Sequence, residues 1–266
     1  MSTPTYQEML EAGVHFGHLR KKWNPKMSPY IFGERKGIHI IDLHKTSESL
    51  EEAGNGLRAV ARSGKKIMFV ATKKQAKEIV AECARRVNMP YVTERWLGGM
   101  MTNFATIRKS IKKMQSIEKM STDGSFENIT KKERLMLMRE RNKLEKVIGG
   151  IASLNRLPAA LLMVDIHHEH IALSEATKLN INTFGLVDTN SDPTKVDFAI
   201  PCNDDASKSV HLIMNYLTDC VTEGLAERKT LKAEADAIAD REEQDDAAAK
   251  AADAERAEDA EATETK

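Results

Sequence analysis

Four short apolar runs constrain this chain more than any other feature. "KIMFVAT" from Lys66, "AALLMVDI" from Ala159, "INTFGLVDT" from Ile181 and "VDFAIPC" from Val196 each have strand length. Between and after them lie segments with helical spacing: "KKQAKEIVAECARRVNM", "HEHIALSEATKLN" and "DASKSVHLIMNYLTDCVTEGL". Near-continuous apolar strands alternating with amphipathic helices demand a parallel sheet with helices on both faces, an α/β fold. "PYVTERW" reads as one further strand.

The rhythm is preceded by an irregular stretch and interrupted once. Thr5 with Glu8 three residues on is a capping box for a short first helix that Gly13 can stop. "VHFGHLRKKWNPKMSPYIFGERKGIHIIDL" ends in strand-like "YIF" and "IHIIDL" around a turn, and a helix closing at Gly64 follows. From Asn103 to about Leu154 no strand signal appears. Ile107, Ile111, Met114 and Ile117 form one stripe; Thr130 and Glu133 form a second capping box; Leu137, Leu144, Ile148 and Ile151 form another stripe. Two such helices around the break "STDGSFENIT" predict a protruding antiparallel helical hairpin inserted in the α/β body. The expected organisation is an α/β domain over 1–103 and 155–226, a hairpin over 104–154, and a tail over 227–266. That tail is Ala- and acid-rich with no aromatic residue, so it cannot bury a core and is given no fold.

Net charge is zero, but the sum hides a segregation. Residues 1–160 carry 30 Lys+Arg against 16 Asp+Glu, residues 161–225 carry 3 against 10, and residues 226–266 carry 7 against 14. A block of net +14 points to a polyanionic partner, RNA or DNA. No run of about 18 apolar residues offers a membrane span, and the N-terminus lacks a secretory pattern. Three scattered cysteines without a CxxC pair suit reduced thiols in a cytoplasmic protein.

The catalytic motifs are missing. "GKK" at Gly64 lacks the rest of a phosphate loop, "WLGGMM" is not GxGxxG, and there is no GxSxG elbow. This argues against a nucleotide- or metal-dependent enzyme and a small-molecule substrate. "DIHHEH" at 165–170 invites a zinc reading, but its histidines do not have HExxH spacing, and a strand-to-helix turn explains them. A narrower idea follows from the fold. Residues just beyond the carboxyl ends of parallel strands converge in one crevice. His167, His168, Asp188, Asp204 and Asp205 all fall there, and would gather a structural divalent ion, Mg2+ or Zn2+. For RNA, two stretches stand out. "HLRKKWNPK" combines Arg20, Lys21, Lys22 and Lys26 with Trp23 and Asn24. "ERWLGGMMTNF" brings Arg95, Trp96 and Asn103 around a Gly pair, followed by Arg108, Lys109, Lys112 and Lys113. Cations neutralise phosphates and planar side chains stack on unpaired bases. Trp96 is expected to pack rather than stack.

"MLEAGVHFGHLRKKWNPKMSPYIFGERKGIHIIDLHKT", "RWLGGMMTNFATIRKSI" and the stretch from "PAALLMVDIHHEH" to "NDDASKSV" together resemble the signatures of the bacterial ribosomal protein S2 family. The resemblance covers about residues 5–228; Met101 departs from the more usual leucine. It implies a flavodoxin-like α/β domain with a helical hairpin, and a structural, non-enzymatic role in the small (30S) ribosomal subunit of the cytoplasm. It also implies binding to 16S rRNA and docking of the large OB-repeat mRNA-binding ribosomal protein. A rival reading is a free-standing protein whose basic hairpin binds an acidic partner.

Overall fold

Residues 3–123 and 130–234 are described in the computed structural model. The chain begins with α1 (Tyr6–Glu11), opened by the expected capping box: Thr5 Oγ1 accepts the Glu8 N–H, and Glu8 Oε2 accepts the Thr5 N–H at 2.7 Å. Three short strands follow: β1 (Phe16–Leu19), β2 (Ile31–Arg35) and β3 (Ile38–Ile41). They form an antiparallel sheet in the order β1-β3-β2. Lys36 and Gly37 both have positive φ, 53° and 78°. That is the two-residue turn whose twist matches a hairpin. β1 is not evident in the sequence, where its four residues merge into an irregular stretch.

Helix α2 (Leu43–Arg62) starts on Asp42, which accepts the His44 N–H at 3.0 Å. The α/β rhythm then proceeds as expected, through β4 (Ile67–Val70), α3 (Lys77–Arg86) and β5 (Tyr91–Val92). Helices α4 (Phe104–Thr122) and α5 (Lys131–Ile148) interrupt it. It resumes with β6 (Ala160–Val164), α6 (His170–Lys178), β7 (Asn182–Val187) and β8 (Phe198–Pro201). A last helix, α7, runs from 207 to 234. β5 is shorter than "PYVTERW" suggests, because Trp96 turns inward beneath a loop. α7 continues past residue 227, where the sequence reading began the tail; the rest of that tail lies outside the described residues.

The strands β4 to β8 form one parallel sheet in the order β5-β4-β6-β7-β8. Relative to chain order this is 2-1-3-4-5, the flavodoxin-like arrangement. Side-chain alternation splits the core. Ile67, Phe69, Ala160, Leu162, Val164, Phe184 and Leu186 pack with α2, α3 and α7 on one face. Met68, Val70, Leu161, Met163 and Val187 pack on the other with α6, Trp96, Met100, Ile107 and Ile148. Within α4 the predicted stripe Ile107, Ile111, Met114 and Ile117 is buried. α5 starts on the second expected capping box, and the ion pairs Lys113–Glu140 and Arg141–Glu118 join the two helices. Most of the break between them, 124–129, lies outside the described residues.

Candidate functional site

The strand order reverses between β4 and β6, and ligands of such sheets enter at that point. Here the opening is filled by the protein's own groups. After β4, the N–H and hydroxyl of Thr72 both donate to Glu169 Oε1, at 2.7 and 2.6 Å. Lys73 Nζ lies 2.9 Å from Asp165 Oδ2. Asp165 itself sits at φ 63°, and its Oδ1 accepts the N–H groups of His167 and His168, each at 3.1 Å. "DIHHEH" is therefore a strand-to-helix turn whose aspartate caps the amides after it. His168 is 53% exposed on its side chain and faces Thr72 at 2.8 Å; His167 is exposed as well.

The carboxylates do converge, but around a different histidine. His18, on β1, points its Nδ1 at Asp188 Oδ2, 2.8 Å away, and its Nε2 lies 3.4 Å from Asp205 Oδ2. Atoms of His18, Asp188 and Asp204 that can act as metal ligands lie within 4.8 Å of one another. Strand-end convergence alone predicts His167 and His168 in this group; the structure puts His18 there in their stead. Both histidines stay in their own turn because Asp165 holds their amides. His18 is about 170 residues from Asp188, and nothing local in the sequence marks the pairing.

Burial sets the electrostatics. Asp204 is 0% exposed. Its Oδ1 binds Lys73 Nζ at 2.8 Å, while its Oδ2 has no hydrogen-bond partner among the described residues. Lys73 also reaches Asp205 at 2.7 Å. Burial, followed by the neighbouring Asp165 and Asp188 charges, pushes Asp204 well above the ordinary carboxylate range, with Lys73 opposing. Burial also draws the Lys73 ammonium down, but its aspartate partners more than offset this and hold it above the ordinary lysine value. The hydrogen bond to Asp188 raises the His18 imidazole against its partial burial.

The basic loop grows directly out of this cluster. Arg20–Lys22 form a single 3-10 turn, with all three side chains exposed. Trp23 is 37% exposed and tilts against His39 at 5.2 Å between ring centres. The Asn24 N–H donates to the Thr189 carbonyl at 2.7 Å, and Asn24 Oδ1 accepts the Lys26 N–H at 3.0 Å. Lys26 is partly engaged: its Nζ lies 2.7 Å from Asp192 and donates to Thr194 at 3.2 Å. That ion pair is the main reason Asp192 falls to about 2.

A second loop, 95–103, leads into α4. Arg95, Asn103, Arg108, Lys109, Lys112 and Lys113 are all exposed. Asn103 Oδ1 accepts from Thr106 Oγ1 at 2.9 Å, and Lys113 pairs with Glu140. Trp96 is buried, as expected. Glu175 on α6, which no sequence motif marks, organises the loop. It is 6% exposed and accepts from Trp96 Nε1, the N–H groups of Gly99, Met101 and Thr102, and Thr102 Oγ1, at 2.8–3.1 Å. Burial would raise its pKa; these donors more than offset it and leave it below the ordinary value. The available signal was a glutamate on the buried stripe of Ala172, Leu173 and Ala176.

A flavodoxin-like sheet whose switch point is lined by ion-paired side chains, with cationic loops at its rim, defines an α/β scaffold. A family model described as Ribosomal protein S2 matches residues 9–224. Relatives described as small ribosomal subunit protein uS2 match over most of their length. The Cytophaga hutchinsonii protein is 60% identical over 230 residues, covering 86% of this chain and 91% of that protein. The Flavobacterium johnsoniae protein is 61% identical over 222 residues, 84% of this chain and 87% of that one. The Bacteroides thetaiotaomicron protein is 57% identical over 237 residues, 89% and 85%. The chain belongs to the ribosomal protein S2 family. It is a non-enzymatic structural constituent of the small ribosomal subunit, with a role in translation. Among the described residues no helix is long and apolar enough to cross a membrane.

Proposed function

We propose that the protein binds 16S rRNA along the rim formed by loop 20–26, loop 95–103 and the first turns of α4. The observation that carries this is the concentration of cations in residues 1–160, with Arg20, Lys21, Lys22, Arg95, Arg108, Lys109, Lys112 and Lys113 all presented to solvent. Lys26 would trade part of its Asp192 contact for phosphate, and Trp23 offers a half-open ring for stacking. Binding dominated by phosphate neutralisation loses affinity steeply with salt. Titration of 16S rRNA fragments at rising KCl should give a strongly negative slope of log K against log salt. A flat response would remove this reading.

The acidic residues 161–225 suit a protein-facing role. In this proposal they help dock the large OB-repeat mRNA-binding ribosomal protein, the partner the family resemblance implies. Small subunits assembled without this protein should then lose that partner in a sucrose gradient; full retention would exclude the docking role.

A divalent cation is the third part of the proposal. His18, Asp188 and Asp204, with Asp205 beside them, would hold it. The buried Asp204 Oδ2, without a hydrogen-bond partner among the described residues, and the three aspartates that share one lysine, with Asp188 beside them on His18, favour a cation there. An imidazole nitrogen among carboxylates suits Zn2+ better than Mg2+. The ion would supply positive charge that ties β1 to the ends of β7 and β8; no catalytic step is assigned to it.

A further inference from the structure

Loop 20–26 is anchored on two sides. On one, the Arg20 N–H donates to the Gly37 carbonyl at 3.0 Å, Arg20 pairs with Glu34 and Trp23 lies against His39. On the other it rests on the segment that follows β7. The His18 N–H donates to Thr189 Oγ1 at 2.8 Å, the Asn24 N–H donates to Thr189 O at 2.7 Å, and Lys26 pairs with Asp192. Gly17 approaches so closely that an added Cβ would lie 2.6 Å from Thr189 Cγ2. The platform beneath the loop is therefore the same chain segment that contributes Asp188 to the acidic cluster.

The two features also share an electrostatic field. Asp165, Asp188, Asp204 and Asp205 are gathered there, and Lys73 is the one Lys or Arg side chain ion-paired with them among the described residues. Three of these carboxylates converge on the single Lys73 ammonium, and Asp188 lies against His18. Lys22 stands exposed in the turn that follows β1, four residues beyond His18. Left uncompensated, the cluster draws Lys22 toward itself and repels an approaching phosphate. A bound divalent ion would remove both effects and brace β1 at the root of the loop.

We infer that a divalent cation held by His18, Asp188 and Asp204 and RNA held by loop 20–26 bind cooperatively, so that occupancy of the ion site tunes the affinity for RNA. This rests on the metal and RNA readings above and adds their coupling. Linkage makes it reciprocal: whatever factor the ion adds to RNA affinity, RNA adds to ion affinity.

The test uses the full chain, stripped with a chelator and reloaded with one equivalent of Zn2+. Its binding to a 30-nucleotide mixed-sequence RNA is followed in a Na+ buffer free of Mg2+. The expected result is about fivefold tighter RNA binding with the ion, at the low end of ordinary coupling between two sites. The gain should vanish in His18→Gln and shrink in the Lys21→Ala/Lys22→Ala double variant. Should His18→Gln fail to fold, the reciprocal measurement on unaltered protein decides: Zn2+ affinity by calorimetry should rise by the same factor when RNA is present. Stoichiometric Zn2+ uptake without any change in RNA affinity overturns the coupling and leaves the metal site standing. Absence of stoichiometric uptake overturns the metal reading, and the coupling with it. RNA binding that is absent with and without ion overturns the RNA reading.

Discussion

Two loops present cations at the rim of the same sheet, and they are held in opposite ways. Loop 95–103 is organised from inside: one buried carboxylate, Glu175, collects five donors and fixes the backbone through Gly99, Met101 and Thr102. Loop 20–26 is held from its edges, by Gly37, Glu34 and His39 of the hairpin on one side and by Thr189 and Asp192 on the other, above an acidic cluster. Buried, charge-assisted bonds are worth far more than rim ion pairs. The first loop is thus a rigid fixture of the core, while the second depends on its ionic surroundings.

The comparison breaks most sharply at Glu175. Glu175→Ala leaves buried donors unanswered and should lower unfolding free energy by about 3 kcal/mol in urea titrations; a loss below about 1 kcal/mol would mean the loop is held by something else. Gly17→Ala forces a side chain into Thr189 and should cost about 2 kcal/mol, with loop 20–26 displaced and RNA binding weakened together. Lys26→Met should cost about 1 kcal/mol or less near neutral pH. Its clearer signature is the acid limb. Because Asp192 is lowered to about 2 in the folded chain, its contribution is complete above the unfolded value of about 3.9 and is lost as pH falls through about 2. Thermal midpoints of the unaltered protein should accordingly drop more than those of Lys26→Met between pH 5 and pH 2. The smallest effect belongs to Lys113→Ala, about 0.3 kcal/mol in stability. If α4 tracks phosphates, that substitution still reduces the salt slope of RNA binding by about one.

The sequence already carried the parallel sheet, because β4, β6 and all of β7 after Asn182 are buried on both sides and therefore read as near-continuous apolar runs, with the half-buried edge strand β8 following the same pattern. Both capping boxes were equally legible, since a hydroxyl and a carboxylate three residues apart have one economical use. β1 was hidden: "FGHL" is four residues at a sheet edge, exposed at Phe16 and Leu19, and it exists only because β3 lies beside it. The carboxylate half of the acidic cluster followed from strand ends converging. The histidine did not, since His18 comes from the other sheet, whereas the histidines adjacent in sequence are turned outward by Asp165. Glu175 is not legible in the sequence because a charged residue on a helix usually means a solvated face, and here it faces the interior.

The distant contacts at β1 have a consequence for how the protein is made. Asn203 donates through its backbone N–H to the Val14 carbonyl and through its side chain to the Gly13 carbonyl, each at 3.0 Å. A chain growing from its N-terminus can pair β1 with β3 early, but it cannot make these contacts, or the one from His18 to Thr189, until nearly the whole domain has been synthesised, and such non-local contacts form slowly. The cationic turn behind β1 takes its final shape only in a finished molecule. A truncated or newly emerging chain would carry the same lysines and arginines without the arrangement that makes them selective.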